Sequence, residues 1–259
     1  MSVVARRGLS LVELLISLVL LGLAGTVMVR SSVRLSQATA ALLLRTTAQQ
    51  TLDQASGWLA SELAQTGPGD LRRLGSDSIS YRGYRASGLA CLVTASEVRL
   101  LTDRLSHWRD PQPGRDTLLL YTGRPGDSAW VAQPLLSVGG ASCDGRPALR
   151  LQTVTDSSTL ATVASGMLVP VRLFERMQVR FYLAAGQWWL GARSESTGEA
   201  IQPLAGPFLA GGVRFSYADS LRQPSFVAST VRQLILQLIA AAPGTDSALL
   251  RLAPRNLAP

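Results

Sequence analysis

A single carboxylate lies inside a run of residues that is otherwise typical of a membrane helix. Residues 9–29 read LSLVELLISLVLLGLAGTVMV, and Glu13 is the one charged residue among them. An ionisable group in a membrane helix costs free energy unless it is paired or reaches the interface. The chemistry that Glu13 can perform is therefore charge pairing with a cation. The alternative is that it reaches the interface unpaired, as a tolerated glutamate in a plain signal anchor, because it lies near the start of the apolar run.

Few residues in the chain have types and spacings that suit catalysis. His107 is the only histidine, and a Ser-His-Asp triad would have to use it. The sequence contains no GxSxG elbow, HExxH motif, EF-hand loop or P-loop. Residues 123–127, GRPGD, are rich in glycine but predict a turn. We therefore predict that the chain is not an enzyme, holds no metal and needs no cofactor.

The two cysteines, Cys91 and Cys143, form no CxxC pair and have no histidine cluster beside them, which argues against zinc. In an exported chain, the simplest expectation is a disulfide between them. It would close a loop of roughly 50 residues, which contributes about 4 kcal/mol to stability on the chain-entropy model. Two unpaired buried thiols are the alternative.

The apolar run has the features of an export segment. Residues 9–29 make a helix of roughly 30 Å, which matches the hydrocarbon core of a bilayer. Arg6 and Arg7 supply the positive charge before it, so we expect the N-terminus to stay cytoplasmic and the bulk of the chain to be exported. A signal peptide cut near residues 22–24 and a twin-arginine signal are two alternatives, but neither explains the carboxylate.

A third interpretation does explain the carboxylate. Residues 8–13, GLSLVE, resemble the cleavage and methylation motif of type IV prepilins and type II secretion pseudopilins. The resemblance implies that a prepilin peptidase removes the leader, residues 1–8, by cutting after Gly8, and then methylates the new amine of Leu9. It also implies that Glu13, fifth in the mature chain, pairs with the amine of a neighbouring subunit. Most members of the family begin with phenylalanine, and leucine is an accepted variant.

The helical pattern continues beyond the membrane segment. Residues 30–66 carry an apolar stripe at steps of three or four, formed by Ala41, Leu44, Ala48, Leu52, Ala55, Leu59 and Leu63. The first proline is Pro68, in a TGPG stretch that is a strong stop signal. We predict one very long helix, with an apolar half in lipid or in a bundle of identical helices and an amphipathic half that packs on a head.

Residues 70–259 consist of short apolar segments separated by Gly, Pro, Ser and Asp, which predicts a β-rich head. The predicted strands are 97–102, 117–122, 148–154, 177–184, 188–193 and 213–218. Residues 231–239 fit either a helix or a strand, and we favour a strand. Trp188 and Trp189 are adjacent, so one of them faces the core and the other faces solvent or a partner. The predicted class is α+β, a long N-terminal helix packed on a C-terminal antiparallel sheet.

The C-terminal third carries a second resemblance, to the end of PilW-like minor pilins and of the J pseudopilin of type II secretion. Its elements are a strand, a turn and a strand, then Pro203-Leu204, Gly212-Val213 and the stretch from Phe215 to Asp219. Residues 70–170 carry no comparable signal. The two resemblances imply a minor pilin or pseudopilin that helps to initiate or cap assembly of a type IV pilus or a type II secretion pseudopilus.

The resemblance also implies partners and a location. The partners are other minor pilins or pseudopilins, the major pilin, the inner-membrane assembly platform and the prepilin peptidase. The location is the inner membrane, crossed once at residues 9–29, with the head in the periplasm and the mature subunit within a filament or at its tip.

The charge of the chain leaves two other functions open. All 25 basic residues are arginine, against 17 acidic residues, but the arginines are scattered, which favours a solvated surface over a dedicated polyanion site. A DNA-binding minor pilin of a competence pilus is the first alternative. A signal-anchored periplasmic protein is the second.

Overall fold

The computed structural model describes residues 11–67, 69–121, 130–154, 168–241 and 247–252. One long helix, α1 (Leu11–Leu63), precedes a β-sheet head in which every described strand pair is antiparallel. The predicted α+β class, with a helix followed by a sheet head, is confirmed.

The helix α1 is continuous over 53 residues, or about 80 Å at 1.5 Å per residue. No proline interrupts it, and serine and threonine hydroxyls along it donate hydrogen bonds to carbonyls three or four residues back, as Thr46 does to Leu42. Side chains form hydrogen bonds to backbone groups at and just after its C-terminal end. The Thr66 hydroxyl donates to the Leu63 carbonyl at 2.7 Å, and the Asp70 carboxylate accepts the N–H of Gly67 at 2.7 Å.

Thirteen strands and one 3₁₀ turn (Thr102–Arg104) follow within the described ranges. The strands are β1 (Leu71–Leu74), β2 (Ser78–Val93), β3 (Glu97–Leu101), β4 (Ser106–His107), β5 (Asp116–Tyr121), β6 (Trp130–Pro134), β7 (Ser137–Cys143), β8 (Arg146–Gln152), β9 (Val169–Ala184), β10 (Gln187–Ser194), β11 (Gln202–Ala218), β12 (Gln233–Ala240) and β13 (Ser247–Leu252). The spatial order is β13-β12-β11-β10-β9-β2-β3-β8-β7, with β1 and β4 on β2, and with β5 on β9 and β6 on β5.

All seven predicted strands are present within longer or slightly shifted elements, apart from residue 122, which lies outside the described residues. The ambiguous segment 231–239 forms strand β12. The predicted hairpin is β9–β10, and its two-residue turn has positive φ at Ala185 (50°) and Gly186 (75°), which matches the twist of the flanking strands. The sequence patterns predict no strand at β1, β2, β4, β6, β7 or β13.

Strands β2 and β9, each 16 residues long, pair along most of their length and join two apolar cores. The helix core lies under α1 and includes Leu52, Leu59, Val179, Phe215 and Leu236. The second core lies at the other end of the two strands and includes Val98, Leu118, Leu151, Val171 and Leu173. Both cores pack on the same face of β9, because the side chains of residues 169, 171, 173, 177, 179 and 181 all point to that face.

The helix crosses the sheet from β2 to β13. Near its end, Glu62 contacts β2, and the helix also packs on β11, β12 and β13. The five strand steps from β2 to β13 span about 24 Å at about 4.8 Å each, and the helix rises about 21 Å from Glu62 back to Ala48 at 1.5 Å per residue. The edge strand β13 therefore lies beside the part of α1 nearest Ala48, at the base of the head.

Candidate functional site

The head leaves most of α1 uncovered. Every residue from 11 to 47 is exposed, and Ala48 is the first buried residue of the helix. Of the predicted apolar stripe, the last five residues are buried, whereas Ala41 and Leu44 are exposed. The contact with the head therefore begins two helical turns later than the stripe in the sequence, because the sheet ends at β13.

The uncovered part of α1 is longer than a membrane is thick. Residues 11–47 extend over about 55 Å, of which a bilayer core covers about 30 Å. The helix is long and apolar enough to cross a membrane once. The remaining part, residues 31–47, still carries Leu42, Leu43 and Leu44, which are 63%, 64% and 50% exposed. Three consecutive helical residues point in different directions, so these leucines lie on different sides of the helix, among polar residues such as Arg34 and Arg45.

Glu13 lies in the first turn of the described helix and is exposed. Within the described residues it forms no ion pair, and its carbonyl accepts a hydrogen bond from the Ser17 hydroxyl at 2.7 Å. The other predicted N-terminal site residues, Gly8, Leu9, Arg6 and Arg7, lie outside the described residues. Their cleavage, methylation and charge roles stay predictions.

A second polar feature, the polar junction, lies where the end of α1 meets the boundary between the two cores. It consists of Glu62, Tyr81, Arg85, Arg109, Arg115, Asp116, Glu175 and Glu199. It contains four carboxylates and three guanidinium groups. The sequence patterns predict none of these residues as part of a site.

The helix end of the polar junction is held by Arg85. The Arg85 guanidinium donates to both oxygens of Glu62, with Nη1–Oε1 2.8 Å and Nη1–Oε2 3.2 Å, and the Tyr81 hydroxyl donates to Oε2 at 3.1 Å. Both charged side chains are buried, at 9% exposed for Arg85 and 6% for Glu62. A close, buried and hydrogen-bonded pair of this kind fixes the position of α1 along and around its axis.

Glu175 is the centre of the polar junction and is only 1% exposed. It accepts hydrogen bonds from three arginines: Arg85 Nε at 3.1 Å, Arg109 Nη2 at 3.1 Å and Arg115 Nε at 2.5 Å. Arg109 also binds Asp116 through two parallel bonds, at 2.8 and 2.6 Å. Glu175 thereby ties the helix end to the loop that enters β5.

Two features of the strands create this arrangement. On β9, Glu175 occupies the inward phase between Leu173 of the second core and Met177 of the helix core. On β2, a β-bulge occurs at Arg85, since Tyr84 pairs with Phe174 and Ala86 pairs with Leu173. A bulge re-aims the side chain of the extra residue, here Arg85. In a strand that alternates apolar and polar residues, a carboxylate at a position where an inward apolar side chain is expected is the sequence signal that could have identified the junction.

The junction controls the ionisation of its members. Burial alone would raise the pKa of Glu175, but the neighbouring Ser194, Arg85 and Arg109 groups outweigh it, so its pKa is lowered. Burial also opposes the charge of Arg85, but Glu62 and Glu175 raise its pKa. Burial and the Glu62 charge raise the pKa of Tyr81 well above its ordinary value. The carboxylate and guanidinium are thus held charged, and the phenol is held neutral.

The two cysteines are joined in the structure. Cys91 of β2 and Cys143 at the end of β7 form a disulfide, with their Cα atoms 6.3 Å apart and a sequence separation of 52. The bond links the outer edge strand of the second core to the central strand β2, which lies three places away in the strand order.

The structure also shows where the other candidate residues lie. His107 lies in the short strand β4, with its ring 44% exposed and its Nε2 3.7 Å from an Asp110 oxygen that is itself exposed. Trp188 stacks on Phe181 of the helix core, with ring centroids 4.6 Å apart. Within the described ranges, no three His, Cys, Asp or Glu residues are grouped as metal ligands would be. The turn predicted at 123–127 lies outside the described residues.

Comparison of the chain with protein-family models, curated proteins and solved structures found no match.

Proposed function

We propose that this chain is a minor subunit of a type IV filament system, either a PilW-like minor pilin or a J-type minor pseudopilin. In this proposal the chain is made with a leader, inserted in the inner membrane, cut after Gly8 and methylated on Leu9. It then joins other minor subunits that initiate or cap the filament, and its head lies in the periplasm.

The uncovered part of α1 is the observation that carries the proposal. About 25 Å of helix extends beyond the thickness of a bilayer, does not touch the head, and carries exposed apolar side chains among serines, threonines and arginines. The side chains of Val33, Leu35 and the three leucines at 42–44 are each about half exposed or more. Burying a fully exposed large apolar side chain contributes about 1.5–3 kcal/mol. Because each of these five is about half to two-thirds exposed, covering them stabilises an assembly by on the order of 5–10 kcal/mol before the cost of association. A bundle of similar helices covers such a surface on all sides.

The sequence supports the same proposal from the other end of the helix. The GLSLVE motif places Glu13 where a neighbouring subunit's methylated amine would neutralise it. In this proposal the exposed Glu13 gains its partner when subunits assemble. The apolar surface supplies attraction and the charge pair supplies register.

Two measurements test the proposal. Mass spectrometry of the mature chain is expected to find N-methyl-leucine at Leu9, whereas an ordinary signal peptide predicts a start near Gly25. Glu13→Ala is expected to leave membrane insertion unchanged and to reduce incorporation into filaments. Asp53→Ala is the matched control, because Asp53 is an exposed carboxylate on the same helix, outside the membrane segment. An intact leader, or normal incorporation of Glu13→Ala, would contradict the proposal.

A further inference from the structure

A cavity of about 270 Å³ opens where the end of α1 meets β2, β4 and β9. Its walls include Gln65 just after the helix, Tyr84 and Ser87 of β2, Trp108 after β4, and Arg172 of β9. Small-molecule sites commonly measure roughly 300–1,000 Å³, so this cavity suits one small ring. It lies on the head and takes no part in the contacts proposed for the helix.

Arg172 lines this cavity, and no described carboxylate forms an ion pair with it. Its guanidinium carbon lies 5.3 Å from the centroid of the Tyr84 ring and 5.0 Å from that of Trp130, and both contacts are cation–π interactions. None of the ion pairs among the described residues includes Arg172. An arginine restrained by its neighbours loses little freedom when it binds an anion.

The other charges at this cavity are already compensated. Arg85 also lines it, but its guanidinium is engaged by Glu62 and Glu175. The Tyr84 hydroxyl donates to Asp70, which also pairs with Arg82. Among the described residues, the cavity therefore has one uncompensated positive charge, which suits a monoanion. A carboxylate is the monoanion whose two oxygens match a guanidinium fork.

The rest of the wall suits a hydroxylated ring. Trp108 is 57% exposed, and its backbone N–H donates to the Arg85 carbonyl at 2.9 Å, which anchors it. Ser87 and Ser106 face each other across the β2–β4 pair, so their side chains lie side by side. Neither hydroxyl has a hydrogen-bond partner among the described residues. An indole face, two hydroxyls and the Gln65 amide together offer stacking and hydrogen bonds to one small ring.

We propose that this cavity binds a carboxylate-bearing sugar, a uronic-acid unit. Arg172 binds the carboxylate, Trp108 stacks on the apolar face of the ring, and Ser87, Ser106 and Gln65 bond its hydroxyls. The proposal is independent of filament assembly, because every group comes from one chain.

Binding of oligogalacturonate to the full chain in non-ionic detergent, measured by calorimetry, tests the proposal. Arg172→Met is expected to weaken binding about tenfold or more, as loss of a charged hydrogen-bonding partner does. The matched control is Arg180→Met, an exposed arginine on the same strand, and it is expected to bind as the unaltered chain does. A neutral hexose oligosaccharide, inorganic phosphate and polyglutamate are the competing probes.

Equal binding of any competing probe, absence of oligogalacturonate binding, or unchanged affinity in Arg172→Met would overturn the proposal. Trp108→Ala provides a second variant in case Arg172→Met does not fold, because Trp108 is largely exposed. It is expected to weaken oligogalacturonate binding several-fold while leaving the melting temperature unchanged. Unchanged affinity in a folded Trp108→Ala chain would also count against the site.

Discussion

Replacement of Arg85 by methionine tests whether the polar junction holds the helix on the head. The substitution keeps the length of the side chain but removes the guanidinium that binds Glu62 and Glu175. Glu62 then keeps the Tyr81 hydroxyl as its one polar contact in the junction, and Glu175 keeps two of its three arginines. The junction then contains four carboxylates but only two guanidinium groups instead of three.

The magnitude follows from the burial of the groups that remain. Glu62 and Glu175 are 6% and 1% exposed, so water cannot replace the lost partner without opening the structure. Removal of one partner from a buried ion pair typically costs about 3–5 kcal/mol. For a head of this size, about 2–4 °C of melting temperature is lost per kcal/mol, so we expect a decrease of roughly 6–20 °C.

Thermal unfolding of the full chain in detergent, followed by near-ultraviolet circular dichroism, measures this decrease. Arg73→Met is the matched control, because the Arg73 side chain is 80% exposed and its 3.9 Å pair with Glu195 contributes little. The double variant Glu62→Gln with Arg85→Met is expected to lose less than the sum of the two single variants. A melting temperature for Arg85→Met within 2 °C of the control would refute the assignment.

Three further predictions concern other parts of the molecule. Reduction of the Cys91–Cys143 bond is expected to lower stability by about 4 kcal/mol on the chain-entropy model, and an unchanged melting curve in reductant would contradict this. Because the pKa of Glu175 is lowered on folding from an ordinary value of 4.5, its contribution to stability is present above that pH and lost as pH falls below it. Glu175→Gln should flatten the decrease in stability at acid pH, and an equally steep decrease would show that Glu175 is not responsible. Leu43→Ser is expected to leave the melting temperature of the head unchanged and to reduce subunit association in crosslinking assays, since Leu43 does not touch the head; equal crosslinking would argue that this surface is not buried.

The helix was predictable because its signals are local. Its apolar half, its absence of proline and its stop signal after Leu63 are all read from neighbouring residues. The point at which the head begins to cover it was not predictable, because Ala41 and Leu44 continue the stripe. Burial starts at Ala48 for a long-range reason, namely the position of the edge strand β13.

The central strand β2 shows what local patterns miss. Its sequence, SISYRGYRASGLACLV, contains two arginines, one cysteine and two glycines among small residues. These residues hide the alternation of apolar and polar positions. The β-bulge at Arg85 then reverses the inward phase partway along the strand, so that no single period fits all of it. Strand β9 keeps its phase from Val169 to Phe181, and Glu175 is the one charged residue in that phase. Extending the predicted strand 177–184 backward would have found both the strand and the buried carboxylate.

Apolar packing alone leaves a helix free to slide, and the polar junction explains why α1 does not. The buried stripe alternates small and large residues, from Ala48 and Leu52 to Ala55 and Leu59, so a shift by two turns, about 11 Å, would present a similar apolar surface to the sheet. The same shift would separate Glu62 from Arg85, whose contact is 2.8 Å, and leave both charges buried without partners. The membrane half of α1, residues 9–29 in the sequence, is even more uniform, with leucine and valine on every side and Glu13 as its one charge. By the same reasoning, helices that assemble through that half have no preferred offset from their apolar residues, and the charge pair proposed for Glu13 would provide one.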